Sequence, residues 1–205
     1  IDAALAMERG TEALRRIVPG AQAMLDLGCG AGNWTVKLLS KLPDLTCTLL
    51  DLSPAMLERA RSRVEILSKK PVTAIEGDFR SIILEAGFFD IVTAGATLHH
   101  LRDIEEWRAL FTKVYTALRK GGVFLISDLV SHQNAALAGY ARECWADYLL
   151  QAGGVEMRES ILRLSDEEDT PRPLSWQIEL LREAGFESVE IIHLNACFAT
   201  FTAIK

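Results

Sequence analysis

The chain has 205 residues, 49% of them hydrophobic and 24% charged, with 14 Gly and 6 Pro. That length fits one domain with its own core, and that composition excludes disordered, collagen-like and coiled-coil classes. Basic residues number 22 and acidic residues 28, leaving a net charge of −6 that opposes phosphate backbones and anionic lipid surfaces.

No basic cluster larger than Arg15-Arg16 or Lys69-Lys70 offsets that charge. No apolar run approaches a membrane span, no secretory signal is visible, and the four cysteines lack any Cys-x-x-Cys spacing. The expectation is a cytoplasmic protein with reduced thiols, no metal site, and neither nucleic acid nor membrane as partner.

A first helix is expected over 3–18, ending at Pro19-Gly20. Short runs rich in Val, Ile and Leu then alternate with helical spacing, the habit of an α/β protein with a mostly parallel sheet. The strands fall at 23–27, 45–51, 72–76, 89–94 and 123–128, and the helices at 33–40, 54–67 and 104–118. Ser53 is the expected N-cap of the second of these helices, with Pro54 at its first position, and Gly121-Gly122 is expected to close the third. From Ser131 to Pro173 the alternation stops. This insertion of roughly 40 residues carries Leu137, Ala141, Cys144, Trp145, Tyr148 and Leu149 on one helical face, then an acidic loop over 165–170. A helix over 174–184, stopped by Gly185, leads to two runs at 189–194 and 197–204. They are joined too closely for a helical crossover and must pair antiparallel.

The strongest signal is Asp26-Leu27-Gly28-Cys29-Gly30-Ala31-Gly32-Asn33, between the first strand and the next helix. Glycines there let a ligand approach the backbone at the carboxyl ends of the strands. The spacing is Gly-x-Gly-x-Gly, and Asn33 stands where a nicotinamide dinucleotide fingerprint needs its third glycine. A carboxylate ending the second strand can accept from both hydroxyls of a ribose, and Asp51 occupies that place. Asp78 could accept from an exocyclic amine, with Phe79, Leu52 and Met56 as apolar faces for a base. The alternative for both carboxylates is loop capping at strand ends.

These motifs, with Phe89-Asp90-Ile91-Val92, Leu98-His99-His100-Leu101 and Leu118-Arg119-Lys120-Gly121-Gly122, occur in an order that resembles the class I S-adenosylmethionine-dependent methyltransferases. The resemblance covers about residues 22–128 and extends through Glu183-Ala184-Gly185-Phe186 and the last strand pair. It implies a doubly wound, Rossmann-like α/β sandwich, with a seven-stranded sheet in order 3-2-1-4-5-7-6 and strand 7 antiparallel. It implies S-adenosylmethionine as cofactor and S-adenosylhomocysteine as product. Gly28, Gly30 and Gly32 would line the methionine and ribose portion, with Ala94 in the same cofactor set. Asp51 would bind the ribose, Asp78 and Phe79 the adenine, and Leu52 and Met56 would sandwich the base. Asp26 would receive the methionine ammonium directly or through water.

Methyl transfer to a protic acceptor needs a base only if a proton must leave, and histidine is the natural candidate near neutral pH. His99 and His100 follow the fourth strand, where several O-methyltransferases that this stretch resembles place a catalytic histidine; helix capping is the bland alternative. Asp128 at the end of the fifth strand, and Tyr140 and Trp145 in the insertion, are the candidate substrate contacts. Arg142, Arg158 and Arg163 could meet an anionic acceptor, although a solvated face is the simpler reading for each. His132 is expected as a solvated loop residue and His193 on the outer part of the sheet.

One domain over 1–205 is expected, with the helix at 1–20 and the insertion at 131–173 forming the acceptor lid. The favoured function is methyl transfer to O, N or C of a small or medium-sized acceptor, with a homodimer among the open oligomeric states. The C-terminal half also resembles carboxy-S-adenosylmethionine synthases of tRNA wobble-uridine modification, which makes that chemistry the first alternative. A non-catalytic module that only binds S-adenosylmethionine is the second.

Overall fold

A computed structural model describes residues 2–205. Its elements are α1 (Ala3–Ile17), β1 (Ala23–Leu27), α2 (Asn33–Leu39), β2 (Thr46–Asp51), α3 (Pro54–Leu67), β3 (Val72–Glu76) and β4 (Phe89–Gly95), then a 3-10 turn over Leu98–His100. α4 (Ile104–Ala117), β5 (Leu118–Leu129), α5 (Ala135–Glu168), α6 (Leu174–Glu183), β6 (Ser188–Asn195) and β7 (Phe198–Ile204) complete the chain. The strands form one sheet in the order β3-β2-β1-β4-β5-β7-β6. β1 to β5 are parallel, and β7 runs antiparallel to both β5 and β6. No helix among the described residues is long and apolar enough to cross a membrane.

All five residues of β1 are buried, as a central strand covered on both faces requires. Alternation along it feeds two cores. Leu25 and Leu27 join Trp107, Phe111, Phe124, Leu181 and Phe186 under α4 and α6, while Met24 joins Leu14, Leu38, Leu49 and Val64 under α1, α2 and α3. Asp90 in β4 accepts from the backbone N–H of Gln22 and Ala23 and pairs with Arg119, which ties the start of β1 to β4 and β5. The strand order reverses beside β1, so a crevice opens at the carboxyl ends of β1 and β4.

Three local expectations change. Gly121-Gly122 does not close α4, which ends at Ala117; Leu118 already pairs with Phe89, and Gly121 and Gly122 hydrogen-bond with Lys205. The Lys205 ammonium donates to the carbonyls of Tyr115 and Leu118, capping the helix end in their place.

Residues 165–168 are helical rather than an acidic loop. Asp166 pairs with Arg142 at 2.6 Å and Glu167 with Arg163 one turn earlier, so two residues of the acidic run are neutralised from their own helix. The face expected of the insertion is only partly buried: Ala141 and Leu149 pack inward, while Leu137 and Tyr148 are exposed. α5 is two helical segments broken at Gly154, whose φ of 79° and ψ of −171° no other residue type adopts cheaply. The first segment packs on the end of β5 and on Cys197 through Ala141 and Trp145.

Candidate active site

The loop after β1 is built from three glycines with different tasks. A Cβ at Gly28 would sit 2.5 Å from Oγ1 of Thr97, so only glycine lets the loops after β1 and β4 close on each other. Gly32 has φ of 76° and sits against Ala60 of α3, a role in helix packing away from the crevice. Gly30 faces open space, and its N–H donates to Asp51 at 2.7 Å. Ser53 N–H donates to the other Asp51 oxygen at 2.9 Å. The Asp51 carboxylate is thereby fixed at the end of β2, with lone pairs left for hydroxyls in the crevice.

Asp26 lies beneath this loop on the α2 face of the sheet. Its two oxygens accept the hydroxyls of Thr35 at 2.6 Å and Thr93 at 2.7 Å, and it is 1% exposed. Burial pushes its carboxyl up to about 6, against the two hydroxyl hydrogen bonds. It fastens β1, α2 and β4 together and does not line the crevice.

The loop after β4 carries the two histidines. Asp128, at the end of β5, accepts from the N–H of Thr97 and Leu98 on one oxygen and from Leu129 on the other. That second oxygen also holds Nδ1 of His99. Nε2 of His99 is left facing the crevice, 3.6 Å from Asp169 at the end of α5, and Nδ1 of His100 is also 3.6 Å from Asp169. Burial pulls the His99 imidazolium down, but the charge and hydrogen bond of Asp128, with Asp169, outweigh it, so its pKa lies above the usual histidine value. Burial and the charge of His99 hold His100 below that value. Ala96, in the same loop, has φ of 53°, a left-handed conformation that a non-glycine residue adopts at a cost of about 1–2 kcal/mol. The structure also gathers a donor set that the sequence reading, with no metal expected, did not foresee: ligand atoms of His99, His100 and Asp169 lie within 4.8 Å of one another, close enough for a divalent cation.

These groups open into a cavity of about 870 Å³. Gly28, Gly30, Asp51, Leu52 and Phe79 line one part; His99, His100, Asp128, Trp145 and Asp169 line another. No Lys or Arg side chain is among the lining residues.

A family model described as a methyltransferase domain matches residues 24–122. Across 206 aligned residues, the chain is 30% identical to carboxy-S-adenosyl-L-methionine synthase of Escherichia coli, covering 96% of this chain and 79% of that protein. It belongs to the class I S-adenosylmethionine-dependent methyltransferase family. The enzyme of the same name from Nautilia profundicola is 28% identical over 94% of this chain and 81% of its own length. The fold is shared with human N-acetylserotonin methyltransferase in complex with S-adenosylmethionine, at a TM-score of 0.64 and 19% identity over 95% of this chain and 51% of that one. The chain therefore spans about half of that structure.

As a methyltransferase-family enzyme, the chain takes S-adenosylmethionine as cofactor, and its crevice fits that group. A nucleoside needs a fixed carboxylate for its hydroxyls and an apolar slot for its base; Asp51, Phe79 and Leu52 line the cavity together, beside the open face of Gly30. When bound, the cofactor supplies a methyl group on a sulfonium centre.

Other sequence candidates lie off the cavity. Asp78 is turned to Arg80, which donates to both its oxygens and holds its carboxyl below the usual range. Met56 is half exposed on α3, Ala94 is buried behind the crevice, and Tyr140 is 64% exposed on the outer side of α5. Arg142, Arg158 and Arg163 of α5 pair with Asp166, Glu159 and Glu167 and are not among the lining residues.

Several lining residues carry no signal in the sequence pattern, among them His193, Asp2 and Trp34. His193 lies in the edge strand β6, the outer part of the sheet as expected, and from there it also lines the cavity, with Nε2 2.8 Å from Asp2 and Nδ1 3.0 Å from Arg9. Asp2 enters from the start of α1. Trp34 packs its ring where a side chain on Gly95 would otherwise stand. His132 is half-buried rather than solvated, with Nε2 3.0 Å from the Ala196 carbonyl. The Trp34–Gly95 fit was hidden because it is a contact between elements 61 positions apart.

Proposed function

We propose that the protein transfers the methyl group of S-adenosylmethionine to an O–H or N–H of a small acceptor, with His99 as general base. The observation that carries this reading is the pair of Asp128 and His99. Asp128 is clamped by three backbone N–H groups and fixes Nδ1, so the Nε2 lone pair is aimed into the cavity, as a general base requires. Asp51 and the glycine loop hold the cofactor; Ile161 and Leu164 in the second segment of α5, with α1, cover the acceptor as a lid. Methyl transfer measured with labelled S-adenosylmethionine and a panel of small hydroxy and amino compounds tests the reading. His99→Gln is expected to lower turnover by two orders of magnitude or more while leaving affinity for S-adenosylhomocysteine within about twofold. Full turnover in that variant would overturn the role of His99.

A second reading is carboxy-S-adenosylmethionine synthesis, favoured by the two relatives of that name matched over nearly the whole chain. It would add a carboxylate to the cofactor beside Asp128 and Asp169, in a cavity lined by no Lys or Arg, where an unpaired buried charge is costly. Mass spectrometry of cofactor extracted from the purified protein separates the two readings.

A further inference from the structure

Asp169 is the carboxylate that the reaction as described leaves without a task. Its side chain is 13% exposed, it lines the cavity, and among the described residues it pairs with no Lys or Arg. Its place is fixed by Thr170, whose N–H donates to the His99 carbonyl at 2.7 Å and whose hydroxyl donates to the carbonyls of His99 and Leu101. The insertion thus holds its own carboxylate against the loop that carries the base. The arginines of α5 are tied to Glu159, Asp166 and Glu167 outside the cavity, while Glu168 and Asp169 face inward. Carbonyls at the C-terminus of α5 add negative potential at the same end. Apart from the imidazoles of His99 and His100, a cation in this part of the cavity has to arrive with the ligand. The same cavity has an apolar wall, Trp145 edge-on to Phe198 with ring centres 5.3 Å apart.

We propose that the acceptor is a small vicinal amino alcohol whose ammonium is bound by Asp169 while its hydroxyl lies on Nε2 of His99. The inference rests on the methyl-transfer reading and names its substrate class. Where the two hydrogen bonds run side by side into the cavity, from atoms 3.6 Å apart, the ligand nitrogen and oxygen lie roughly 3–4 Å from each other, a span that neighbouring amine and hydroxyl groups reach. Transfer breaks the sulfonium S–CH3 bond with its electron pair left on sulfur, forms O–CH3, and passes the hydroxyl proton to Nε2 of His99; the ammonium keeps its protons. The competing occupant is a divalent cation on His99, His100 and Asp169.

The test titrates protein saturated with S-adenosylhomocysteine, in EDTA, with trans-2-aminocyclohexanol, trans-cyclohexane-1,2-diol and trans-2-hydroxycyclohexanecarboxylate, one ring carrying a cationic, a neutral or an anionic neighbour. The amine is expected to bind about tenfold or more tighter than the diol, with the anion weakest. Asp169→Asn is expected to lower amine affinity about tenfold, to within about twofold of the diol, while affinity for S-adenosylhomocysteine stays within about twofold, a selective loss that a merely structural residue would not give. Equal affinities, no saturable binding of the amine, preference for the anion, preference surviving in Asp169→Asn, or binding that needs a divalent ion would each overturn the proposal. Methyl transfer is read separately from tritiated S-adenosylmethionine. Transfer to the diol with no amine preference would overturn this inference alone, and amine preference with no transfer to any probe would overturn the methyl-transfer reading.

Discussion

His99 sits between two carboxylates, and each predicts a pH effect. Its pKa lies above the ordinary value of about 6.5 because Asp128 and Asp169 outweigh burial. A base works as the neutral ring, so turnover is expected to rise with pH through a midpoint above about 6.5. Stability has the opposite sign: the contribution from protonated His99 is complete below the unfolded pKa and is lost as pH rises through the folded one. In Asp169→Asn the carboxylates facing the ring reduce to Asp128, with His100 on its own loop, and the rising limb of turnover is expected to move to lower pH. A limb that stays in place would remove Asp169 from the surroundings of the base.

Asp26 provides a second titration at this scale. Its folded pKa is raised to about 6, so its contribution to stability is present below about 4 and is lost as pH rises through about 6. In Asp26→Asn that dependence disappears, while the amide can still meet the hydroxyls of Thr35 and Thr93. Urea denaturation from pH 4 to 7 is expected to show wild type losing stability relative to the variant across that interval; parallel curves would contradict the assignment. Sequence order placed Asp26 and Asp51 correctly on their strands. It could not say that the Asp26 oxygens are taken by two threonines, or that Arg80, two residues on, claims Asp78, because both depend on side-chain partners rather than on spacing.

At the scale of elements, periodicity was readable wherever a segment packs on the sheet. α3 runs Pro54–Leu67 behind Ser53, and β1 and β3 have their expected limits. In α5 the apolar stripe from Leu137 to Leu149 does not form one buried face. That stripe lies wholly before the break at Gly154, in a segment that meets the sheet only at the end of β5 and around Cys197, so Ala141 and Leu149 are buried and the rest of the face is not. Gly154→Ala would force an alanine to φ near 79°, at an expected cost of about 1–2 kcal/mol in thermal unfolding. Turnover is expected to fall further than cofactor affinity, since Ile161, Leu164 and Asp169 hang from the second segment while Asp51 and the glycine loop do not. Equal losses in both would mean that the break serves folding alone.

For the molecule as a whole, the sheet divides labour between its faces. α4 and α6 pack on one core through Trp107, Phe111, Leu180 and Phe186 and contribute nothing to the cavity lining, whereas α1 and α5 supply Asp2, Met7, Trp145 and Asp169 to it. Ligand that binds only the folded state stabilises it by about 2.7 kcal/mol at a hundredfold excess over Kd. How that protection spreads depends on which elements the ligand touches and which open by local unfolding. Hydrogen exchange with S-adenosylhomocysteine is therefore expected to slow amides at the start of α1, in the loops after β1, β2 and β4, and in the second segment of α5. Amides in α4 and α6 that exchange by local opening should keep their rates. Asp51→Ala should weaken cofactor binding by about 1.5–3 kcal/mol and shrink the pattern in proportion. Protection spread evenly over both faces would place the binding energy in the global fold rather than in the crevice beside β1.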